Sequence, residues 1–266
     1  MSEISTALTA LWPLTSSAET DWLLELTGDG VTGFMPPPLP DAAWVLNAMY
    51  EHVNGPTEVT YDQRHRARPA DGSVQPMIVA GIDLDAVGTA TGGGLGRADH
   101  PGADWRRLRW SELARRTGDP PVPDGLLPSR RCFPSARRDG SWPIGIIPPT
   151  EGSLDRETWN RLIDLLIAHS PAGTRTRCLA YYNPLMLRHT DFENLHVRAG
   201  RLGDAAALYD NPEAEFSPSN LWAEDRSWVV GTDYDLWATK VAGPASLVAA
   251  VLGDAELEAV RLPWAP

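Results

Sequence analysis

The sequence predicts an α+β protein: a mostly antiparallel sheet with packed helices, rich in loops. Three observations carry that expectation. The first is the last quarter of the chain, where Trp228, Val229 and Val230 begin a strand, Gly231 to Asp235 reverses it, and Leu236 to Val241 supplies a second β-rich run. Gly243 and Pro244 then open a helix with Leu247, Val248, Val251 and Leu252 on one face; Gly253 stops it, and Leu257 to Leu262 reads as a last strand. The second is Asp155 to Ala168, a helix whose Trp159, Leu162, Ile163, Leu166 and Ile167 form an unbroken apolar stripe. Asp155 suits its N-cap, and Leu154 stands where a staple against Trp159 would. The third is the presence of 23 Gly and 24 Pro, which break the chain at Gly28 to Pro40, Gly92 to Gly102 and Gly118 to Pro128.

In chain order, Ser2 to Leu14 and Ala18 to Leu26 have helical spacing. Asp41 to His52 also reads as a helix, with Trp44, Val45, Ala48 and Met49 on one side. Glu58 to Tyr61 and Met77 to Leu84 read as strands, the second so apolar that a central place in a sheet is expected. Trp105 to Arg116 returns to helix, packing Leu108, Leu113 and Trp105 beneath an arginine-rich outer face. Thr176 to Tyr182, Leu195 to Ala199 and, less regularly, Gly200 to Tyr209 are strand-like. The chain thus divides into a helical, loop-rich region over 1–140, with a strand near 77–84, and an α+β region over 141–266, the two forming one unit.

A formal net charge of -12 opposes generic attraction to nucleic acid or to an anionic membrane, and it suits a basic protein partner better. That charge is uneven. Arg97 to Arg138 holds ten Arg against five Asp and Glu, whereas Gly200 to Pro266 holds eleven acids against four bases. The simplest expectation is that these regions face each other or are solvated, with a docking surface as the alternative. Cys132 and Cys178 stand far apart and outside any CxxC spacing, so both are expected as reduced, half-buried residues and the location as cytoplasmic. The start MSEISTALTALWPL has no signal-peptide pattern.

The runs EGSLDRETWNRLIDLLIAHS, RCLAYYN, RAGRLGDAAALYD and SPSNLWAEDRSWVVGTDYDLWATKVAGP resemble blocks shared by a family of uncharacterised actinobacterial proteins. Asn220, Trp222, Glu224, Asp225, Trp228, Thr232, Asp233, Thr239, Val241 and Gly243 match its last block. In shape and acidity the chain is also similar to the small α+β immunity proteins that protect bacteria from their own toxins. The resemblance implies no activity, and no functional residue is carried over from it.

Candidate chemistry is sparse. His189, Asp191, Glu193 and His196 in RHTDFENLH come nearest to a metal site, since in a helix His189, Glu193 and His196 would share a face able to hold zinc, but the pattern is not HExxH and the end of the segment reads as strand, so solvated loop polars are expected and no metal. TGGGLG at Thr91 to Gly96 follows an apolar run without GxGxxG or GK[ST] spacing, so a flexible loop is favoured over a phosphate cradle. Glu224, Asp225, Asp233 and Asp235 flank the hairpin around Arg226, where an ion-pair network is expected first and a recognition surface second. No serine lies in GxSxG, and no cofactor is implied. Two functions follow as expectations. One is a non-enzymatic interaction protein of immunity type, its binding residues Glu224, Asp225, Trp228, Asp233, Asp235 and Trp237 taking a basic partner. The other is a small-molecule enzyme with a site between the N-terminal region and the C-terminal sheet, drawing on His189, Asp191 and His196.

Overall fold

Strands from both halves of the chain meet in one antiparallel sheet. The computed structural model describes residues 3–23, 39–67, 78–79, 82–83, 88–188 and 196–261. Seven strands build the sheet: β1 (Asp41–Leu46), β7 (Arg177–Tyr182), β8 (His196–Arg201), β9 (Asn220–Ala223), β10 (Val229–Thr232), β11 (Ala238–Gly243) and β12 (Ala259–Val260), in the order β12-β1-β11-β10-β9-β7-β8. The expected hairpin is present, with Val230 opposite Val241 and Thr232 opposite Thr239. A three-stranded sheet orders β5 (Trp105–Leu108), β2 (Met49–His52) and β6 (Ile146–Ile147), and β3 (Ile78–Val79) pairs with β4 (Ile82–Asp83) alone. The fold is mixed α+β, as the sequence predicts.

Residues alternate along each strand of the large sheet. Ala43, Val45, Cys178, Ala180, Tyr182, Leu221, Val230 and Val241 face one side, where α4 (Arg156–His169) and α5 (Ala245–Gly253) bury Trp159, Leu162, Leu166, Leu247, Val248 and Val251. Asp155 caps α4, its carboxylate accepting from the Thr158 N–H at 2.8 Å, and Leu154 before it is fully buried. Ala42, Leu179, Tyr181, Trp222, Val229 and Ala242 face the opposite side, covered in part by Trp22 and Leu23. The edge at β8 is closed by the segment after α1 (Glu3–Leu11): the Ala199 N–H donates to Pro13, the Thr15 N–H donates to Val197, and the buried Trp12 ring lies over Gly200.

Several expectations are corrected. Asp41 to His52 is not a helix but β1 and β2, joined at Asn47, where the chain leaves the large sheet for the small one. Both faces of β1 are buried, so its apolar run lacks the alternation that marks a half-exposed strand and mimics a helical face instead. Glu58 to Tyr61 is not a strand. Thr60 caps α2 (Tyr61–Arg66) in a complete capping box with Gln63, a T-x-x-Q signature present in the sequence.

Of Met77 to Leu84 only Ile78–Val79 and Ile82–Asp83 are described, and they form a private two-residue ladder rather than a central strand. Trp105 to Arg116 is split by Arg109 into β5 and α3 (Trp110–Thr117). The start of α3 is satisfied from far away: the Glu258 carboxylate accepts from the Trp110 and Ser111 N–H groups at 2.7 and 2.8 Å. Gly200 to Tyr209 departs after β8 into a 3-10 turn over Leu202–Asp210. Across the two regions, β1 enters the sheet of the C-terminal strands and β6 pairs back onto β2.

Most of the basic middle region is structural. Arg106 and Arg116 converge on Glu51, whose side chain is 5% exposed, and both also pair with Glu112. Hydrogen bonds from these guanidinium groups hold the Glu112 carboxyl down to about 2. Arg97 donates to the Tyr209 and Ala214 carbonyls, and Arg109 to those of Leu257 and Ala255. Arg130, Arg131 and Arg137 are left outside this framework.

Candidate functional site: a cleft of arginines, tryptophans and Glu151

Where β1 crosses to β2, a second core forms from Trp44, Leu46, Met49, Trp110, Phe133, Trp142, Leu236 and Trp237. Trp237 is its hinge. Its ring lies 6.2 Å from both Trp110 and Trp142, its N–H donates to Pro128, and its carbonyl accepts from Asn47. Beside this aromatic wall opens a cleft of two lobes that share Arg130 and Glu151. The first, about 400 Å³, is lined by Thr89, Thr91, Gly93, Gly94, Arg137, Trp142 and Trp237; the second, about 580 Å³, by Ser129, Arg131, Asp235 and the loop at Gly125 to Leu127. Leu95 and Leu127 stand at its mouth, 61% and 53% exposed.

The glycine-rich run forms one wall and is stapled in place. The Glu151 N–H donates to Gly94, the Gly96 N–H returns to Glu151, and the Trp142 N–H donates to Thr91, at 2.9, 2.9 and 3.0 Å. On the other flank the Gly152 N–H donates to Leu236 at 2.9 Å. Glu151 is thereby pinned by its backbone between the glycine loop and the β10–β11 turn.

Burial, then the neighbouring Asp235, raises the Glu151 carboxyl above its ordinary value of 4.5, with Arg130 and the Trp237 side chain offsetting part of the rise. A carboxyl raised by folding binds protons more readily in the folded chain, so its ionisation costs stability as pH climbs above 4.5. Glu151→Gln is therefore expected to flatten that decline, and its melting temperature should exceed that of the wild type at pH 7 but not at pH 4. Parallel curves for the two proteins across that range would show that Glu151 carries no such cost.

Arg137 meets the opposite problem. Burial, followed by repulsion from Arg130, lowers its tendency to stay charged. Its Nε is buried with no hydrogen-bond partner, and its one side-chain bond is a long 3.5 Å contact to the Cys132 carbonyl. The Arg130 and Arg131 side chains make no hydrogen bond or ion pair among the described residues. In a chain of net charge -12, three guanidinium groups are thus concentrated at one cleft with no ion pair among the described residues, although Glu151 lies near Arg130 and Asp119 near Arg137. Such a site can hold an oxyanion, and Glu151 can exchange a proton within it.

The sequence-predicted residues are not brought together. Trp228 is buried, its indole donating to Ser170 Oγ at 2.9 Å, and Trp237 is 3% exposed, so neither offers an exposed anchor. Glu224 and Asp225 occupy the β9–β10 turn, Glu224 paired with Arg177 at 3.7 Å and Asp225 accepting from the Ser227 N–H. Asp233 and Asp235 sit in the β10–β11 turn at the other end of a four-residue strand, about 13 Å away at ~3.3 Å per residue. Arg226 bridges neither pair; its guanidinium lies over Trp22. His196 opposite Tyr182 on β8 is four strand spacings from β11, about 19 Å. His189 and Asp191 lie outside the described residues.

Of the predicted residues that are described, only Asp235 and Trp237 belong to the cleft. Arg130, Arg137, Trp142 and Glu151 were missed. The signals for them were TGGGLG and the doubled arginines of RRCFPSARR, which become informative only when folding sets them face to face. Both cysteines are buried and reduced, and among the described residues no group of three or more His, Cys, Asp or Glu is placed to hold a metal ion. None of the described helices is long and apolar enough to cross a membrane. Comparison with protein-family models, with curated proteins and with solved structures finds no match.

Proposed function

We propose that the chain works by binding a small anionic molecule in this cleft, with Glu151 as the group able to move a proton on the bound ligand. The observation that carries the reading is Arg137: a cavity-lining guanidinium that keeps a buried, unpartnered Nε costs stability, and an incoming oxyanion would satisfy it. The location agrees with a site between the N-terminal region and the C-terminal sheet, although its residues are Arg130, Arg137 and Glu151.

Arg137→Met tests the reading through two readouts that move in opposite directions. It removes a half-buried guanidinium whose Nε has no partner while keeping the apolar stem, so the melting temperature should rise slightly. Stabilisation by added citrate or phosphate, seen as a rise in melting temperature, should be lost. A variant that melts well below the wild type would instead make Arg137 a structural strut.

The net charge of -12 favours a second reading, an immunity-type protein that docks a basic partner on the exposed Glu224 and Asp225. Charge reversal at these two positions should slow association with such a partner and blunt its salt dependence. Unchanged association kinetics would remove the turn from consideration.

A further inference from the structure

We propose that the ligand is a phosphate monoester whose carrier bears hydroxyl or amine donors. Its phosphate would sit in the glycine-loop lobe, and its donors would reach Glu151 and Asp235. This rests on the small-molecule reading above and narrows it.

The first lobe presents donors from three separate segments: the Thr89 and Thr91 hydroxyls, the Arg130 guanidinium and the Arg137 guanidinium. Thr91 Oγ1 already accepts from the Gly93 N–H at 3.1 Å, which leaves its own O–H to donate outward. The Gly94 N–H makes no hydrogen bond among the described residues. A planar carboxylate uses donors near one plane, whereas a tetrahedral oxyanion of two negative charges uses donors arriving from several directions and two guanidinium groups at once.

Glu151 lines both lobes and Asp235 the second alone; together they repel a dianion and hold it in the first lobe toward Arg137. If the second lobe were filled by an apolar group, both carboxylates would lose water without replacement, so their occupant must supply O–H or N–H donors. Lobes of about 400 and 580 Å³ also exceed what inorganic phosphate alone would fill. Leu95 and Leu127, 61% and 53% exposed, offer the carrier apolar surface, whereas Trp142 and Trp237 are buried behind the lobe at 1% and 3%.

Titration calorimetry on the full chain decides the matter, with inorganic phosphate, ribose 5-phosphate, adenosine 5′-monophosphate, free ribose and citrate as probes. At least one ester should bind about ten-fold tighter than inorganic phosphate, the worth of one further good hydrogen bond, and ribose should not bind. Tighter binding of the nucleotide assigns a base against the exposed Leu95 and Leu127, and tighter binding of ribose 5-phosphate assigns a sugar phosphate. In Asp235→Asn the ratio of ester to inorganic phosphate affinity should fall, and in Arg130→Ala both affinities should drop.

Esters no tighter than inorganic phosphate, or a ratio unchanged in Asp235→Asn, would overturn the donor-bearing carrier. Citrate binding above every phosphate probe would overturn the phosphate assignment while leaving the anion-binding reading standing. Failure of all the anions would remove both.

Discussion

Leu166→Asp should leave the chain without a cooperative unfolding transition. Leu166 is fully buried on α4, in the core that joins Trp159, Leu162 and Ile163 to Val230 and Val241 of the sheet. An aspartate there has no partner and must stay charged or take up a proton, at about 3–5 kcal/mol, and the lost leucine removes about 2–5 kcal/mol more. That sum exceeds the lower part of the ~5–15 kcal/mol that holds a domain together. Asn160→Asp, on the exposed face of the same helix, should change stability by no more than ~0.5 kcal/mol. Urea titration followed by circular dichroism separates the two variants; a Leu166→Asp protein with the wild-type midpoint would place that stripe at the surface.

The second large effect is expected at Gly96, and Gly125 supplies its control. Both have left-handed backbones, φ +78 and +73. A β-carbon at Gly125 would meet nothing within 4 Å, whereas at Gly96 it would lie 2.6 Å from the Glu215 carbonyl oxygen, a backbone atom that cannot rotate aside. Gly125→Ala should cost about 1 kcal/mol for the left-handed conformation alone, and Gly96→Ala about 3 kcal/mol because displacement of packed backbone adds to it. The Gly96 N–H also holds the Glu151 carbonyl, so this substitution should weaken anion binding, while Gly125→Ala should leave it nearly intact. Equal losses in the two variants would mean that the loop moves freely away from Glu215.

The contrast between these positions explains what was legible in the chain. Apart from the Thr60 capping box, signals confined to neighbours in sequence read correctly: the α4 stripe and its Asp155 cap, the β10–β11 hairpin, and the helix opened by Pro244. Signals that depend on what arrives from elsewhere did not. β1 looked helical because its second buried face is supplied from elsewhere, at Ala42 by Trp22 and Trp222 and at Trp44 and Leu46 by Trp110 and Trp237. The break at Arg109 depends on a carboxylate from Glu258, and the cleft joins Arg137 to Glu151 and Asp235 across folded chain. The tryptophans of the hairpin read as an exposed surface because abundance does not distinguish a docking face from a second core, and Trp110 and Trp142, which bury Trp237, lie far from it in sequence.

The placement of β1 between β11 and β12 sets a timetable for the newborn chain. β1 leaves the ribosome early, yet its nearest sheet partner follows about 190 residues later, a wait of roughly 10–40 s at ~5–20 residues per second. Throughout that interval Ala42 to Leu46 is an unpaired apolar segment, the kind of stretch that chaperones hold and that aggregates when they do not. Closure of the sheet is therefore a late event dominated by distant contacts, and folding should be slow relative to the size of the chain. A circular permutant that opens the chain after residue 52 and joins the original ends through a linker would let β1 emerge after β11 and β12, and it should raise the soluble yield.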